Sequence, residues 1–488
     1  MIEANNKDMM SLSEAANLLS AELVGENAVF NSVSIDTRTL KKGDLFVALS
    51  GPNFDGHDFV AQARNKGAIG LLVSQRVDST LPQIIVDDTR TAFGQLASAW
   101  RDKFDLRVIA VTGSNGKTTV KEMIASILRN QGVVLATAGN LNNDIGVPLT
   151  LFRLDSSHQF AVIEMGANNP DEIDYLSRLV RPDVSLITNA AAAHLEGFGD
   201  ISGVARAKGE IFNGLNRDGC AVLNADDPRV GMWNVMTKNF RQLTFGIRNT
   251  ANVMAIAPRV NAKYGCSFDL RATDGDVEIN LKLPGRHNVM NAVAAAAAAL
   301  TLGVSLRVIK AGLEQMEAVD GRLQVLQSVD GIQIINDTYN SNPGSMRAAL
   351  EVLATCGECN EKVLVLGDMG ELGNASRSLH EQIGRQAKAV GINYLYAVGD
   401  LAYTTAGIFG AGAYHFSSQD ELIIALCRKI LERGDQGLTL LVKGSRNMRM
   451  ERVVTTLTHG CLNLFKKSGP EAGGHRVIDQ KKASAGGL

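Results

Sequence analysis

The sequence predicts an α/β protein of three domains. These are a small α/β N-terminal domain (residues 1–104), a central P-loop domain with a mostly parallel sheet (105–320) and a C-terminal Rossmann-like α/β domain (321–467). Three observations predict it. At 488 residues the chain is too long for one ordinary core. Short apolar runs recur along it, separated by helical patterns and followed by polar loops, as in parallel sheets covered by helices on both faces. One of these runs, 108–111, passes through two glycines and a lysine into a helical pattern at 122–128.

Composition narrows the class before any motif is read. Hydrophobic residues are 45% and charged residues 20%, as in an ordinary soluble protein. There are 49 basic and 51 acidic residues, a balance that argues against a nucleic-acid surface or a polybasic membrane patch. Glu3, Lys7 and Asp8 interrupt the N-terminus, so no signal peptide is expected. The longest apolar run, 292–302, is too short to span a membrane. Six cysteines are scattered, and Cys356 and Cys359 form a C-x-x-C with neither a second pair nor nearby histidines. Reduced thiols in a cytoplasmic protein are expected.

In the first domain, 11–19 reads as a short capped helix and 60–66 as a second. Strands are expected at 69–73 and 84–86. Ser34-Ile-Asp36-Thr-Arg38 and Asp55-Gly-His57 are polar clusters on its loops. Singly, Asp36 and Arg38 read as a structural ion pair and His57 as a cap or core histidine. As a set they suggest a polar ligand.

The second domain opens on the phosphate loop. Gly113 and Gly116 permit a tight turn that aims backbone N–H groups at an anion, Lys117 adds charge, and Thr118 offers a hydroxyl to a metal ion. The usual outer glycine is replaced by Val111. Further strands are expected at 133–136, 161–163, 184–187 and 221–223. In such sheets ligands bind beyond the carboxyl ends of the strands, so the loops that follow should converge. They read Thr137-Ala-Gly-Asn140-Leu-Asn142-Asn143, then Glu164-Met-Gly, then Thr188-Asn to His194. A carboxylate at a strand end beside a phosphate loop is where Mg²⁺ needs a ligand. Lys208 by itself reads as a solvated helix lysine. Residues 239–284 read as an antiparallel extension. Asn288 and Asn291 stand one turn apart at the start of an alanine-rich helix and can share a face.

The third domain repeats the alternation, with strands at 332–335, 363–366, 394–398 and 439–442. Polar clusters follow at Asp337-Thr-Tyr-Asn-Ser-Asn-Pro343, Gly367-Asp-Met-Gly-Glu371 and Lys443-Gly-Ser-Arg446. The stretch from 468 to 488 lacks periodicity and is expected to be a disordered tail.

Four of these segments together, 112–118, 164–166, 285–291 and 337–343, resemble the ATP-dependent Mur ligases of bacterial cell-wall synthesis. The likeness spans all three domains. Segments 137–148, 194–199, 207–212 and 367–373 are most similar to the branch that adds D-alanyl-D-alanine. The turn Ser341-Asn-Pro-Gly344 lacks the arginine typical of the branch that adds diaminopimelate.

The resemblance implies an amide ligase of peptidoglycan precursor synthesis. It would join D-alanyl-D-alanine to UDP-N-acetylmuramoyl-tripeptide through an acyl phosphate, releasing ADP and phosphate. It implies ATP bound by Gly113, Ser114, Asn115, Gly116, Lys117, Thr118 and Thr119, with Asn288 and Asn291 at the adenine, Arg322 at phosphate and Asp337 at the ribose. It implies two Mg²⁺ ions held by Thr118, Glu164, His194 and Lys208, the lysine being carbamylated by CO₂. Lys117, Lys208 and His194 would be the catalytic residues. Ser34, Asp36, Arg38, Asn140, Asn142 and Asn143 would hold the UDP-linked substrate. The other partner is the dipeptide, no nucleic acid or membrane is implied, and a monomer is expected. Another amino-acid-adding ligase of the same superfamily, including folylpolyglutamate synthetase, is the nearest alternative, but the folate enzymes should lack the first domain. A phosphate-loop ATPase that needs no amine is the alternative from another class.

Overall fold

The computed structural model describes residues 8–192, 195–261, 265–355, 361–434 and 436–462. The expected tail and the Cys356/Cys359 pair lie outside these residues. The other four cysteines are buried free thiols. Three α/β units carry the chain, each on its own main sheet.

The first sheet has five strands. In spatial order they are Glu22–Val24, Gln83–Ile85, Gly70–Val73, Asp44–Val47 and Ser32–Ser34. Only the first runs antiparallel to its neighbour. The longest helix of this unit, Thr89–Arg101, is absent from the pattern reading. Asp88 caps it by accepting from the backbone N–H groups of Arg90 and Thr91. Its apolar face, Phe93, Leu96 and Ala97, shares one core with Leu176 and Val180 of the second unit. Three side chains tie the same seam: Ser98 Oγ, Trp100 Nε1 and Arg101 Nε donate to the carbonyls of Leu179, Leu154 and Val180 at 3.0, 3.1 and 3.0 Å. The first two units are therefore one packed body.

The central sheet has nine strands. Its parallel part runs Val134–Ala136, Phe160–Glu164, Arg107–Thr112, Val184–Ile187, Cys220–Asn224, Arg241–Gly246 and Val253–Val260. Cys266–Ala272 and Gly275–Leu281 complete it antiparallel. The expected antiparallel extension is thus corrected. Arg241–Gly246 and Val253–Val260 continue the parallel sheet, and the antiparallel pairings come only at Cys266–Ala272 and Gly275–Leu281, of which the first alone runs against the rest. Both of those parallel strands are partly exposed, so they carry the alternation of a one-sided sheet rather than the solid apolar run of a buried strand. The helix Arg286–Thr301 lies beneath, with its alanines 292 and 294–299 all buried. A helix apolar on every side belongs in a core, and small side chains let its backbone approach the sheet closely.

The third sheet has six strands, in order Gln324–Gln327, Gln333–Asp337, Leu438–Lys443, Glu361–Gly367, Tyr394–Val398 and Ala413–Phe416. All pairings but the first are parallel. Between the second and third units the chain crosses through Gly321 and Leu323, with φ of +70° and +52°. Left-handed backbone at a leucine stores strain that its surroundings must hold in place.

Candidate functional site

The strand Arg107–Thr112 delivers the glycine turn to the helix Lys117–Leu128. Gly113 and Gly116 have φ of +146° and +83°. A Cβ on Gly113 would lie 1.9 Å from Thr188 Oγ1, and one on Gly116 would lie 2.5 Å from Asn291 Oδ1. Glycine is required twice over at Gly116, by its backbone angle and by its neighbour. Gly116→Ala is expected to weaken ATP binding by roughly 5- to 150-fold, as about 1–3 kcal/mol of local strain predicts. Equilibrium nucleotide titration beside a thermal melt would check it, and the melt is expected to stay cooperative.

The loop is pinned from the next strand end. Asn115 N–H donates to Asn189 Oδ1 at 3.1 Å. The Asn115 carbonyl accepts from Thr188 Oγ1 at 2.6 Å and from Asn189 Nδ2 at 3.0 Å. Ser114 Oγ donates to the Ala191 carbonyl and accepts from the Ala191 N–H, at 3.1 and 2.9 Å. Thr119 is buried in the helix that follows. The sequence reading placed Thr188 and Asn189 on a converging loop but gave them no part in shaping the cradle.

Three strand ends meet at one buried polar cluster. Thr118 Oγ1 donates to Glu164 Oε2 at 2.8 Å, and Asn142 Nδ2 donates to Glu164 Oε1 at 2.8 Å. The Glu164 N–H donates to Thr137 Oγ1 at 2.9 Å. Arg322 Nη2, from beyond the domain crossing, donates to Thr118 Oγ1 at 2.9 Å. Lys117 Nζ donates to the Gly113 carbonyl at 2.7 Å. Burial pushes the Lys117 pKa down; nearby Glu164 opposes that shift and Arg322 adds to it. A hydroxyl and a carboxylate side by side are the hard oxygen donors Mg²⁺ takes from a protein when phosphate oxygens and waters fill its other positions. The residues present therefore fit the ion.

Lys208 lies on the helix Ile201–Gly209, which Asp200 caps by accepting from the Gly203 N–H. Its sequence pattern reads as surface, yet it is only 2% exposed. Its ammonium rests over the Phe198 ring, 5.4 Å from the centroid. It makes no ion pair with the side chains of the described residues. Burial first, and then the charge of Lys117, lower its pKa to about 7. A lysine half neutral near pH 7 can react with an electrophile. His194 lies outside the described residues.

Asn288 and Asn291 share a face as their spacing predicts, and Asn291 Nδ2 donates to Asn288 Oδ1 at 3.1 Å. Both are buried, and Asn288 Nδ2 donates to the Pro284 carbonyl at 2.8 Å. Asn291 stands against Gly116, which places the pair at the phosphate loop. From the third unit, Asn342 Nδ2 donates to Asn115 Oδ1 at 2.8 Å. The Arg322 guanidinium lies 4.1 Å over the Tyr339 ring. Asp337 Oδ2 accepts from Lys443 Nζ at 2.5 Å. Two separate contacts, from Arg322 and Asn342, thus close the third unit onto the loop.

The residues expected at the UDP end are not bonded into this cluster, except Asn142. Asp36 and Arg38 close on each other: Arg38 Nε and Nη2 donate to the Asp36 carboxylate at 2.7–3.0 Å. This pair holds the Asp36 carboxyl below its usual range. Ser34 Oγ donates to the Asp36 carbonyl at 3.1 Å. Asn143 Oδ1 accepts from the Gly146 N–H at 2.9 Å, while Asn140 is exposed. His57 is structural, with Nδ1 2.6 Å from Asp55 and Nε2 accepting from the Ser74 N–H at 3.0 Å. Lys443, from the polar cluster 443–446, is committed to Asp337 and to the Asn340 carbonyl. Arg446 is exposed and 3.3 Å from Glu451.

Three family models match the chain. They are the Mur ligase family catalytic domain over residues 29–101, the Mur ligase middle domain over 111–299 and the Mur ligase glutamate ligase domain over 321–446. The UDP-N-acetylmuramoyl-tripeptide–D-alanyl-D-alanine ligase of Escherichia coli (strain K12) is 47% identical over 449 residues, covering 92% of this chain and 98% of that protein. The crystal structure of MurF from Acinetobacter baumannii superposes with a TM-score of 0.88 at 37% identity, covering 93% of this chain and 100% of that one. The structure of MurF ligase from Thermotoga maritima in complex with ADP gives 0.79 at 27% identity, covering 90% of this chain and 98% of that one.

Proposed function

The chain belongs to the Mur ligase family, and we infer that its reaction joins D-alanyl-D-alanine to UDP-N-acetylmuramoyl-tripeptide at the expense of ATP, in peptidoglycan precursor synthesis. One observation carries the mechanism. Glu164, Thr118 and Arg322 form a single hydrogen-bonded line from the phosphate loop across the domain crossing. Chemistry on the nucleotide is thereby tied to closure of the third unit.

Lys117 and the N–H groups of residues 113–119 hold the β- and γ-phosphates at the helix N-terminus. Asn288 and Asn291 face the adenine, and Asp337 faces the ribose. Thr118 and Glu164 would hold one Mg²⁺, and His194 with carbamylated Lys208 a second. The ions supply positive charge that offsets the repulsion between a carboxylate and a triphosphate. The terminal carboxylate of the tripeptide attacks the γ-phosphorus, and the bond to the ADP oxygen breaks. The amine of D-alanyl-D-alanine then attacks the acyl carbon; phosphate leaves, and the nitrogen gives up a proton. Arg322 moves with the third unit, so its bond to Thr118 couples closure to phosphate contact. The strained Leu323 beside it is suited to a hinge. The protein is a cytoplasmic monomer in this reading; no helix among the described residues is long and apolar enough to cross a membrane.

Phosphate release measured with UDP-N-acetylmuramoyl-tripeptide, while the amine is varied, tests the reaction. Release should require D-alanyl-D-alanine and fail with glutamate, diaminopimelate or no amine. Release that ignores the amine would make the protein an ATPase.

The first unit holds the UDP end through Ser34, Asp36 and Arg38. Arg38→Ala should raise the KM for the UDP-linked substrate severalfold and leave the KM for ATP unchanged. The Arg38 side chain is 86% exposed and water screens its pair with Asp36, so the Tm should hardly move. A change in the ATP KM alone would place the substrate elsewhere.

A further inference from the structure

We propose that Lys443 is a positioning residue for the nucleotide, acting through Asp337 and the 338–342 loop. Lys443 ends the strand Leu438–Lys443 and is the register partner of Asp337 on the neighbouring parallel strand. Its side chain is 2% exposed. Its ammonium donates to Asp337 Oδ2 at 2.5 Å and to the Asn340 carbonyl at 2.9 Å. The other oxygen of Asp337 accepts from the Leu323 N–H at 3.2 Å, next to Arg322. Asn340 lies two residues before Asn342. One buried ammonium therefore sits between both contacts that reach the phosphate loop, Arg322 to Thr118 and Asn342 to Asn115.

Burying such a pair contributes little to stability, because desolvation of both charges cancels most of their attraction. What it fixes is direction: Asp337 can present its carboxylate to a sugar hydroxyl only while it is ionised and held. Burial raises the Asp337 pKa, and Lys443, then Arg322, oppose that rise. The Lys443 charge also acts on His287 of the second unit. Burial and the Lys443 charge lower its pKa to about 4, so it stays neutral and adds no competing charge. This inference rests on the reading that Asp337 meets the ribose.

The test is a cycle of Asp337→Asn, Lys443→Met and the double variant in the full chain, with KM for ATP and for the UDP-linked substrate measured from pH 6 to 8. Both single variants should raise the ATP KM about tenfold and leave the other KM unchanged. The double variant should be no worse than Asp337→Asn. In Lys443→Met the ATP KM should climb further as the pH falls, because buried carboxyls without a counter-ion titrate as high as about 8–9. A wild-type ATP KM in Lys443→Met, or losses that multiply in the double variant, would overturn the proposal while the ribose reading stands. An unchanged ATP KM in Asp337→Asn would overturn the ribose reading, and the proposal with it. If Lys443→Met does not fold, the double variant against Asp337→Asn decides: equal KM supports the proposal and a further loss sinks it.

Discussion

Replacing Lys208 with alanine is expected to abolish ligation, with kcat lower by on the order of a thousandfold or more, as when charge stabilisation at a phosphoryl-transfer centre is lost. Lys208 is 2% exposed and finds no carboxylate to pair with among the described side chains. Burial favours its neutral form and the charge of Lys117 adds to that, so its pKa falls to about 7. The neutral amine can attack CO₂ and lose a proton, giving a carbamate with the charge and shape of a carboxylate. The repulsion from Lys117 then becomes attraction. The neutral fraction rises as pH rises through about 7, so at a fixed concentration of dissolved CO₂ activation should be slower at pH 6 than at pH 8. Short carboxylic acids should partly restore Lys208→Ala, because they supply the missing carboxylate. Full activity in that variant without any addition would remove the carbamate from the mechanism.

Much of this site is readable in the sequence because a parallel sheet sends its loops to one edge. Thr118, Glu164 and Asn142 come from three separate segments, yet each lies at or beyond the end of a strand, and they meet. Asn288 and Asn291 were legible from helical spacing alone. Burial of Lys208 was not. Its helix has the mixed composition of a surface helix, and only the pieces packed around it remove it from water. The partnership of Lys443 with Asp337 was hidden for another reason: it depends on which strands are neighbours, and 106 residues separate the two. Ala92, Phe93, Leu96 and Ala97 stand at helical spacing, so the helix that joins the first two units was legible in residues 89–101 although it is missing from the expected elements. In 241–260 partial exposure imitated the pattern of an antiparallel strand.

Glu164→Gln separates a metal site from a structural hydrogen bond at the same atoms. Glutamine keeps an oxygen for Asn142 and can still reach Thr118, so both 2.8 Å contacts have replacements. The strand and its neighbours should stay folded, with a Tm close to that of the parent. What the change removes is one negative charge at a position 2% exposed, where little water screens it. A neutral amide is a far poorer ligand for Mg²⁺ than a carboxylate. The variant should therefore need a much higher Mg²⁺ concentration for half-maximal rate, and at low Mg²⁺ should lose on the order of a hundredfold to a thousandfold in kcat. Raising Mg²⁺ should recover part of that loss. A purely structural Glu164 would behave otherwise: the rate would fall together with the Tm and would not respond to added Mg²⁺. Rate and melting temperature measured across a Mg²⁺ series distinguish the two, and an unchanged Mg²⁺ requirement would remove Glu164 from the metal site.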